Sequence, residues 1–219
     1  MDEKNLVSHM NRVRQVSHIE GQFASCLYLP VLADCTEVMT SLRTDLEILF
    51  TGLHDSLGCN SPVSVWSFID GSELHLSLSR TLFLKPHTIP SLLSKLRVRV
   101  AYPLDACIYL SDTLRLYLND EGNTAFVGFP VDTTSSTLVM GLLGQINGVL
   151  REFDLQPFYD PPDPHVSVAF TTDVNVVHCL RQLSRHDVGR AKLSESQIDR
   201  FRIDLDSIHF RVGNTIHLL

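Results

Sequence analysis

From Thr36 onward, apolar residues at Val38, Met39, Leu42, Leu46, Leu49, Phe50 and Leu53 recur at three- and four-residue steps. That is the period of a helix with one buried stripe. The same period predicts helices across Leu92, Leu93, Leu96 and Val100, opened by Pro86 and Pro90, and across Leu138, Leu142, Ile146, Val149 and Phe153, capped by Ser135 or Ser136. A fourth helix is expected around 174–183. Elsewhere the pattern alternates, the mark of a strand with one wet face. Strands are predicted over 24–31, 74–84, 106–110, 114–118, 125–131 and 165–170, with two closing strands over 201–210 and 211–217. Asn119-Asp-Glu-Gly-Asn123 supplies a hairpin turn between two of them. Residues 54–62, with Gly58 and Asn60, read as a loop, and residues 1–20 as a loosely ordered lead-in.

Hairpins and mixed element order favour antiparallel sheets flanked by helices, an α+β class, over a doubly wound parallel sheet. A helix followed by a histidine-bearing strand occurs in each half, a faint internal duplication. One domain over residues 21–219 is expected. At 219 residues a substantial core is affordable. No run approaches the ~20 apolar residues that cross a bilayer, and the polar start carries no secretory signal. Five scattered cysteines form no CxxC pair and read as reduced thiols. The net charge of −7 argues against coating the surface with nucleic acid, since gripping many phosphates requires a basic face. It leaves room for a pocket that takes the end of a strand.

Ten histidines, and serine at roughly one residue in ten, make about one His-x-Ser match expected by chance; the chain has three. His54-Asp-Ser56 falls in the polar segment after a helix and reads as a solvated loop residue. His75-Leu-Ser77 and His165-Val-Ser167 lie inside alternating strands, so each puts an imidazole and a hydroxyl on one face, with Leu76, Leu78, Val166 and Val168 on the other. A bland reading is an imidazole on the wet side of a sheet. Two such strands in matching places favour chemistry. Cleaving an RNA phosphodiester by attack of the ribose 2′-hydroxyl needs one group to remove that proton and another to protonate the departing oxygen, and imidazole near neutral pH does either. Hydroxyls can donate to the phosphate oxygens as charge grows there. The scheme calls for no metal and no cofactor, and no HExxH or HxH motif is present.

These two strands resemble those of the 2H phosphoesterase superfamily. Gly21 to Pro30, Leu74 to Ser79, Phe126-Val-Gly128, Glu152-Phe153, Phe158-Tyr159, His165 to Ala169 and Gly213-Asn214 together resemble the Usb-type U6 small nuclear RNA phosphodiesterases, over nearly the whole chain and in the same order. The resemblance implies a two-lobed, pseudo-twofold fold with a central groove. It also implies a nuclear 3′-to-5′ exoribonuclease that trims the uridine-rich 3′ end of U6 RNA; a monomer is expected, with no metal, DNA or membrane as partner. By motif, His75 and His165 become the proton donor and acceptor, and Ser77 and Ser167 the phosphate-holding groups. Tyr159 takes the place of an aromatic residue that stacks on the terminal base, with Asp163 and Pro164 bordering the pocket. The proline-rich run Tyr159-Asp-Pro-Pro-Asp-Pro164 suits a stiffly presented ring, although a tyrosine packed on the lobe edge would look the same. Arg80 and Asp120 stand near the groove with roles open. Another 2H enzyme acting on 2′,3′-cyclic nucleotides, or a non-catalytic RNA-end binder, remains an alternative.

Overall fold

The computed structural model describes residues 21–31, 35–57, 61–103, 105–181, 187–190 and 202–219; the expected lead-in over 1–20 lies outside these. Among these residues twelve strands and four α-helices follow in mixed order. They are β1 (Phe23–Pro30), α1 (Cys35–Leu57), β2 (Ser67–Phe68), β3 (His75–Ser77), β4 (Leu82–Leu84), α2 (Ile89–Arg99), β5 (Cys107–Ile108) and β6 (Thr113–Leu118). After these come β7 (Ala125–Pro130), α3 (Thr133–Glu152), β8 (His165–Thr171), α4 (Val174–Arg181), β9 (Asp187–Arg190), β10 (Ile203–Asp204), β11 (His209–Val212) and β12 (Thr215–Leu218). Every pairing among the described strands is antiparallel, in line with the α+β expectation.

One sheet runs in the order β12-β11-β1-β3-β8-β7-β6-β9, with β4 also on β1 and β2 also on β8. Its centre is the β3–β8 pair, and the two sides match. Strand β1 leads through α1 to β3, its neighbour; β7 leads through α3 to β8, its neighbour. The duplication hinted at by the sequence is therefore a pseudo-twofold through the two histidine strands. Beneath both halves runs a contiguous apolar core that includes Leu27, Leu29, Leu76, Leu78, Val127, Phe129, Val166 and Val168. Fully burying one such side chain contributes about 1.5–3 kcal/mol. No described helix is long and apolar enough to cross a membrane.

Several local expectations fail for identifiable reasons. The run over 74–84 is two strands, because the chain bends where the Ser79 hydroxyl replaces a backbone partner: it accepts the Leu27 N–H at 2.9 Å and donates to the Arg80 carbonyl at 2.8 Å. Helix α3 is capped by Asp132, whose carboxylate accepts the Ser135 N–H at 2.7 Å, and neither Ser135 nor Ser136 is the cap. The Ser135 hydroxyl instead accepts the Tyr109 N–H at 2.8 Å. The first closing strand divides, with β10 leaving the main sheet to pair with β5.

His54 is not a solvated loop residue. It lies in the last turn of α1 and is 4% exposed, one turn beyond Leu42, Leu46 and Phe50 on the same buried stripe. Its Nδ1–H donates to the Ser61 carbonyl at 2.8 Å, and its Nε2 accepts the Trp66 indole N–H at 3.1 Å. Trp66 in turn stacks on Phe50, with ring centroids 4.3 Å apart. His54→Ala strands the buried indole donor, which costs about 1–3 kcal/mol before the lost packing is counted. A lower urea midpoint is the expected result, with turnover per folded molecule preserved. A catalytic defect at unchanged stability would contradict this placement.

Candidate active site

Leu76 of β3 stands opposite Val166 of β8, and both are fully buried. One residue to either side, the antiparallel register sets His75 against Ser167 and Ser77 against His165, all on the face away from the core. The two histidines are diagonal neighbours, a separation of about 7–8 Å between strand positions. Each ring is held in the same manner. His75 Nδ1 lies 2.7 Å from the Glu73 carbonyl oxygen, and His165 Nδ1 lies 2.8 Å from that of Asp163, in each case the residue two positions earlier. A carbonyl only accepts, so Nδ1 carries the proton in both rings and Nε2 is the basic nitrogen of each neutral imidazole.

The walls around the pair differ. The Tyr117 ring stacks on His165 with centroids 3.5 Å apart and planes 12° apart. On the other side Tyr28 meets His75 edge-on at 5.2 Å. A groove of about 1020 Å³ runs past both histidines, and Ser77, Ser167, Tyr159 and Asp163 line it with them. Pro164 does not line the groove. It is buried, and its carbonyl accepts the Val131 N–H at 3.0 Å; Pro161 takes the expected place on the rim.

Tyr159 sits over the Arg80 guanidinium, with Cζ 4.2 Å from the ring centre, and against the edge of Phe158 at 5.1 Å. Arg80 is bound in turn by the Asp120 carboxylate at the tip of the β6–β7 hairpin. Burial, and next the Asp120 charge, push the Tyr159 phenol above its ordinary range against the opposing pull of Arg80, so the ring stays neutral. The negative charge of Asp120 is thus met by Arg80. Asp163 likewise faces Arg115, with N and O 3.8 Å apart.

The model of the HVSL family, described as an uncharacterised conserved protein, matches residues 2–219. The chain belongs to the HVSL family. Among curated proteins it is 32% identical over 162 residues to U6 snRNA phosphodiesterase 1 of Bos taurus, covering 74% of this chain. It spans only 56% of that relative's length. Among solved structures, Usb1 of Kluyveromyces marxianus aligns with a TM-score of 0.60 at 16% identity, over 91% of this chain and 97% of that one. The same protein with uridine monophosphate aligns at 0.57 and 14% identity, over 90% and 97%. At such identities the likeness is one of fold, the 2H phosphoesterase fold that the sequence resemblance implied.

In this HVSL chain the residues that escaped sequence reading are Tyr28, Tyr117 and the spacing role of Gly128. Alternation puts Tyr28 opposite in phase to Leu27 and Leu29, and Tyr117 in phase with Arg115. Only the long-range pairing reveals which of these faces look onto the histidines. Gly128 stands opposite Ser167, just where the register shifts and Val168 and Ala169 turn inward together. Such a bulge beside a site re-aims side chains. A Cβ at Gly128 would lie 2.6 Å from the Val166 carbonyl oxygen and 3.1 Å from Ser167 Cα, both backbone atoms. Gly128→Ala must push β7 off β8 and carry Ser167 and His165 with it. Misplacement on the order of 1 Å costs about 10²-fold in rate, the expected loss in kcat. Wild-type turnover in a folded Gly128→Ala protein would show that the sheet yields elsewhere.

Proposed function

We propose that this protein is a metal-independent 3′-to-5′ RNA phosphodiesterase that trims uridine-rich 3′ ends, with U6 small nuclear RNA as its substrate in the nucleus. The observation that carries the reading is the matched pair of imidazoles, each locked through Nδ1 to its own backbone, in diagonal positions across the β3–β8 pair. Nε2 of one ring takes the proton of the 2′-hydroxyl on the penultimate ribose. That oxygen attacks the phosphorus, and the bond from phosphorus to the 5′-oxygen of the terminal nucleoside breaks. The departing oxygen receives the proton held on Nε2 of the other, protonated ring, and a 2′,3′-cyclic phosphate is left on the shortened chain. Ser77 and Ser167, each opposite a histidine, donate to the non-bridging oxygens as they gain charge. Tyr159, with Arg80 against one face, offers its other face to the terminal base, and Asp163 orients His165 through its carbonyl.

The family relationship supports the substrate class, since relatives across animals are U6 snRNA phosphodiesterases, and it supports a role in maturing a splicing RNA. The test is to incubate the protein with a uridine-tailed RNA in EDTA and to weigh the new 3′ ends. Stepwise loss of uridines in the chelator is expected. Activity that vanishes in EDTA and returns with a divalent ion would defeat the two-histidine scheme. Hydrolysis of cyclic mononucleotides with intact RNA tails would move the protein to another branch of 2H chemistry.

A further inference from the structure

The groove continues beyond the histidines along β1. On its groove face, Tyr28 stands opposite Ser77, Cys26 opposite Arg211 of β11, and Ala24 opposite Phe83 of β4. Each two-residue step is about 6.5–7 Å. Arg211 therefore lies one step, and Phe83 two steps, past the first His-x-Ser motif. Both line the same groove as His75 and His165, as do Phe23 and the Gly213-Asn214 turn. Phe83 is 37% exposed and Phe23 44%, large aromatic surface left open to solvent in place of burial.

The cations of the groove are not equivalent. Of the two arginines that line it, Arg80 is engaged by Asp120. Arg211 is exposed, lies beside the Cys26 thiol and holds its guanidinium 5.8 Å from the centre of the Tyr28 ring; among the described residues no carboxylate pairs with it. In a chain of net charge −7, an arginine that no described carboxylate neutralises, beside an open aromatic ring, marks a place for one phosphate and one base. That combination is how single strands are held without sequence readout.

We infer that Arg211 and Phe83 form an upstream subsite for the RNA strand. Arg211 takes the phosphate on the 5′ side of the nucleotide that carries the attacking 2′-hydroxyl, and Phe83 gives a stacking surface to the base beyond it. The inference rests on the RNA phosphodiesterase reading and adds the direction of the strand: its 3′ end lies under Tyr159 and its body runs along β1 toward the β11–β12 turn. Phenylalanine offers no hydrogen-bonding group, so this subsite accepts any base, and selection for uridine belongs to the terminal nucleotide alone.

The experiment compares kcat/KM for UpU, which lacks the upstream phosphate and base, with UpUpU and pentauridylate. Wild-type protein gains on lengthening from UpU to UpUpU. In Arg211→Gln that gain shrinks by roughly 10-fold, as for a lost hydrogen bond to a charged group. The slope of log kcat/KM against log salt falls by about 0.7, as for one phosphate contact on a single strand. In Phe83→Ala the gain shrinks by about 5- to 150-fold while the salt slope holds, because stacking releases no counterion. Circular dichroism confirms that both variants fold. Three results overturn the subsite: no gain with length in the wild type, an unchanged gain in both variants, or losses equal on UpU and UpUpU. The last would mean that Arg211 acts through Tyr28 on His75. A wild-type protein that cuts neither oligomer removes the phosphodiesterase reading itself, and the subsite with it.

Discussion

Replacing either His75 or His165 with alanine lowers turnover of a uridine-tailed RNA by at least about 10²–10⁴-fold and leaves the fold intact. Both imidazoles stand half-buried on the groove face, while Leu76, Val166 and Val168 of the same strands are fully buried on the other face. Truncation therefore opens the groove and leaves the core filled. The two variants should differ slightly in stability. Both lose their Nδ1 bond to the backbone; His165→Ala also gives up a stacked partner in Tyr117, worth about 0.5–1.5 kcal/mol, and His75→Ala an edge contact with Tyr28. In the proposed mechanism one ring receives a proton as the other delivers one, so the double variant should be little slower than the slower single. Single-turnover rates with thermal melts run alongside make the check. Independent, multiplying losses would show that the rings do not share one proton-transfer event.

An RNA whose penultimate ribose lacks its 2′-hydroxyl should not be shortened at all, even at high enzyme concentration. In the proposed mechanism the 2′-oxygen is the nucleophile, so its removal takes away the reaction and leaves binding largely untouched. The deoxy-substituted strand should then behave as a competitive inhibitor with a Ki near the Kd of the intact strand. Binding measurements with the all-ribose and singly substituted strands separate the two effects. Cleavage of the deoxy linkage at a comparable rate would mean that water attacks directly, and the assignment of both histidines would have to change.

Much of this site is local and hence legible in sequence. A His-x-Ser triplet in an alternating strand fixes which side chains share a face, and strand context correctly separated His75 and His165 from the third match as groove-facing residues. The same context misjudged His54. Its spacing from Leu42, Leu46 and Phe50 continues a buried stripe, but a histidine followed by aspartate and serine reads as the onset of a loop, and the satisfying partners Ser61 and Trp66 lie in a later segment. Non-local pairing was likewise out of reach. Nothing in β6 alone tells that Tyr117 reaches across β7 to His165, nor that Gly128 must be bare because a neighbouring strand's carbonyl passes close by. The Asp132 cap was missed because two serines and an aspartate compete for one helix start, and the choice rests on where Ser135 finds its other partner, Tyr109.

The matched anchoring of the two rings bears on how the reaction acquires its polarity. A scaffold that presents the same tautomer twice, related by a twofold, has no built-in left and right: neither imidazole is marked as donor or acceptor by its own strand. Handedness enters through what breaks that symmetry: Tyr117 stacked on His165 against Tyr28 edge-on to His75, the Tyr159–Arg80–Asp120 stack on one flank and the Arg211 wall on the other. Turning a strand end for end in such a groove exchanges the duties of the rings without moving a protein atom. Evolution of a new direction of attack, or of the reverse joining of ends, then requires only new flanks around an unchanged centre.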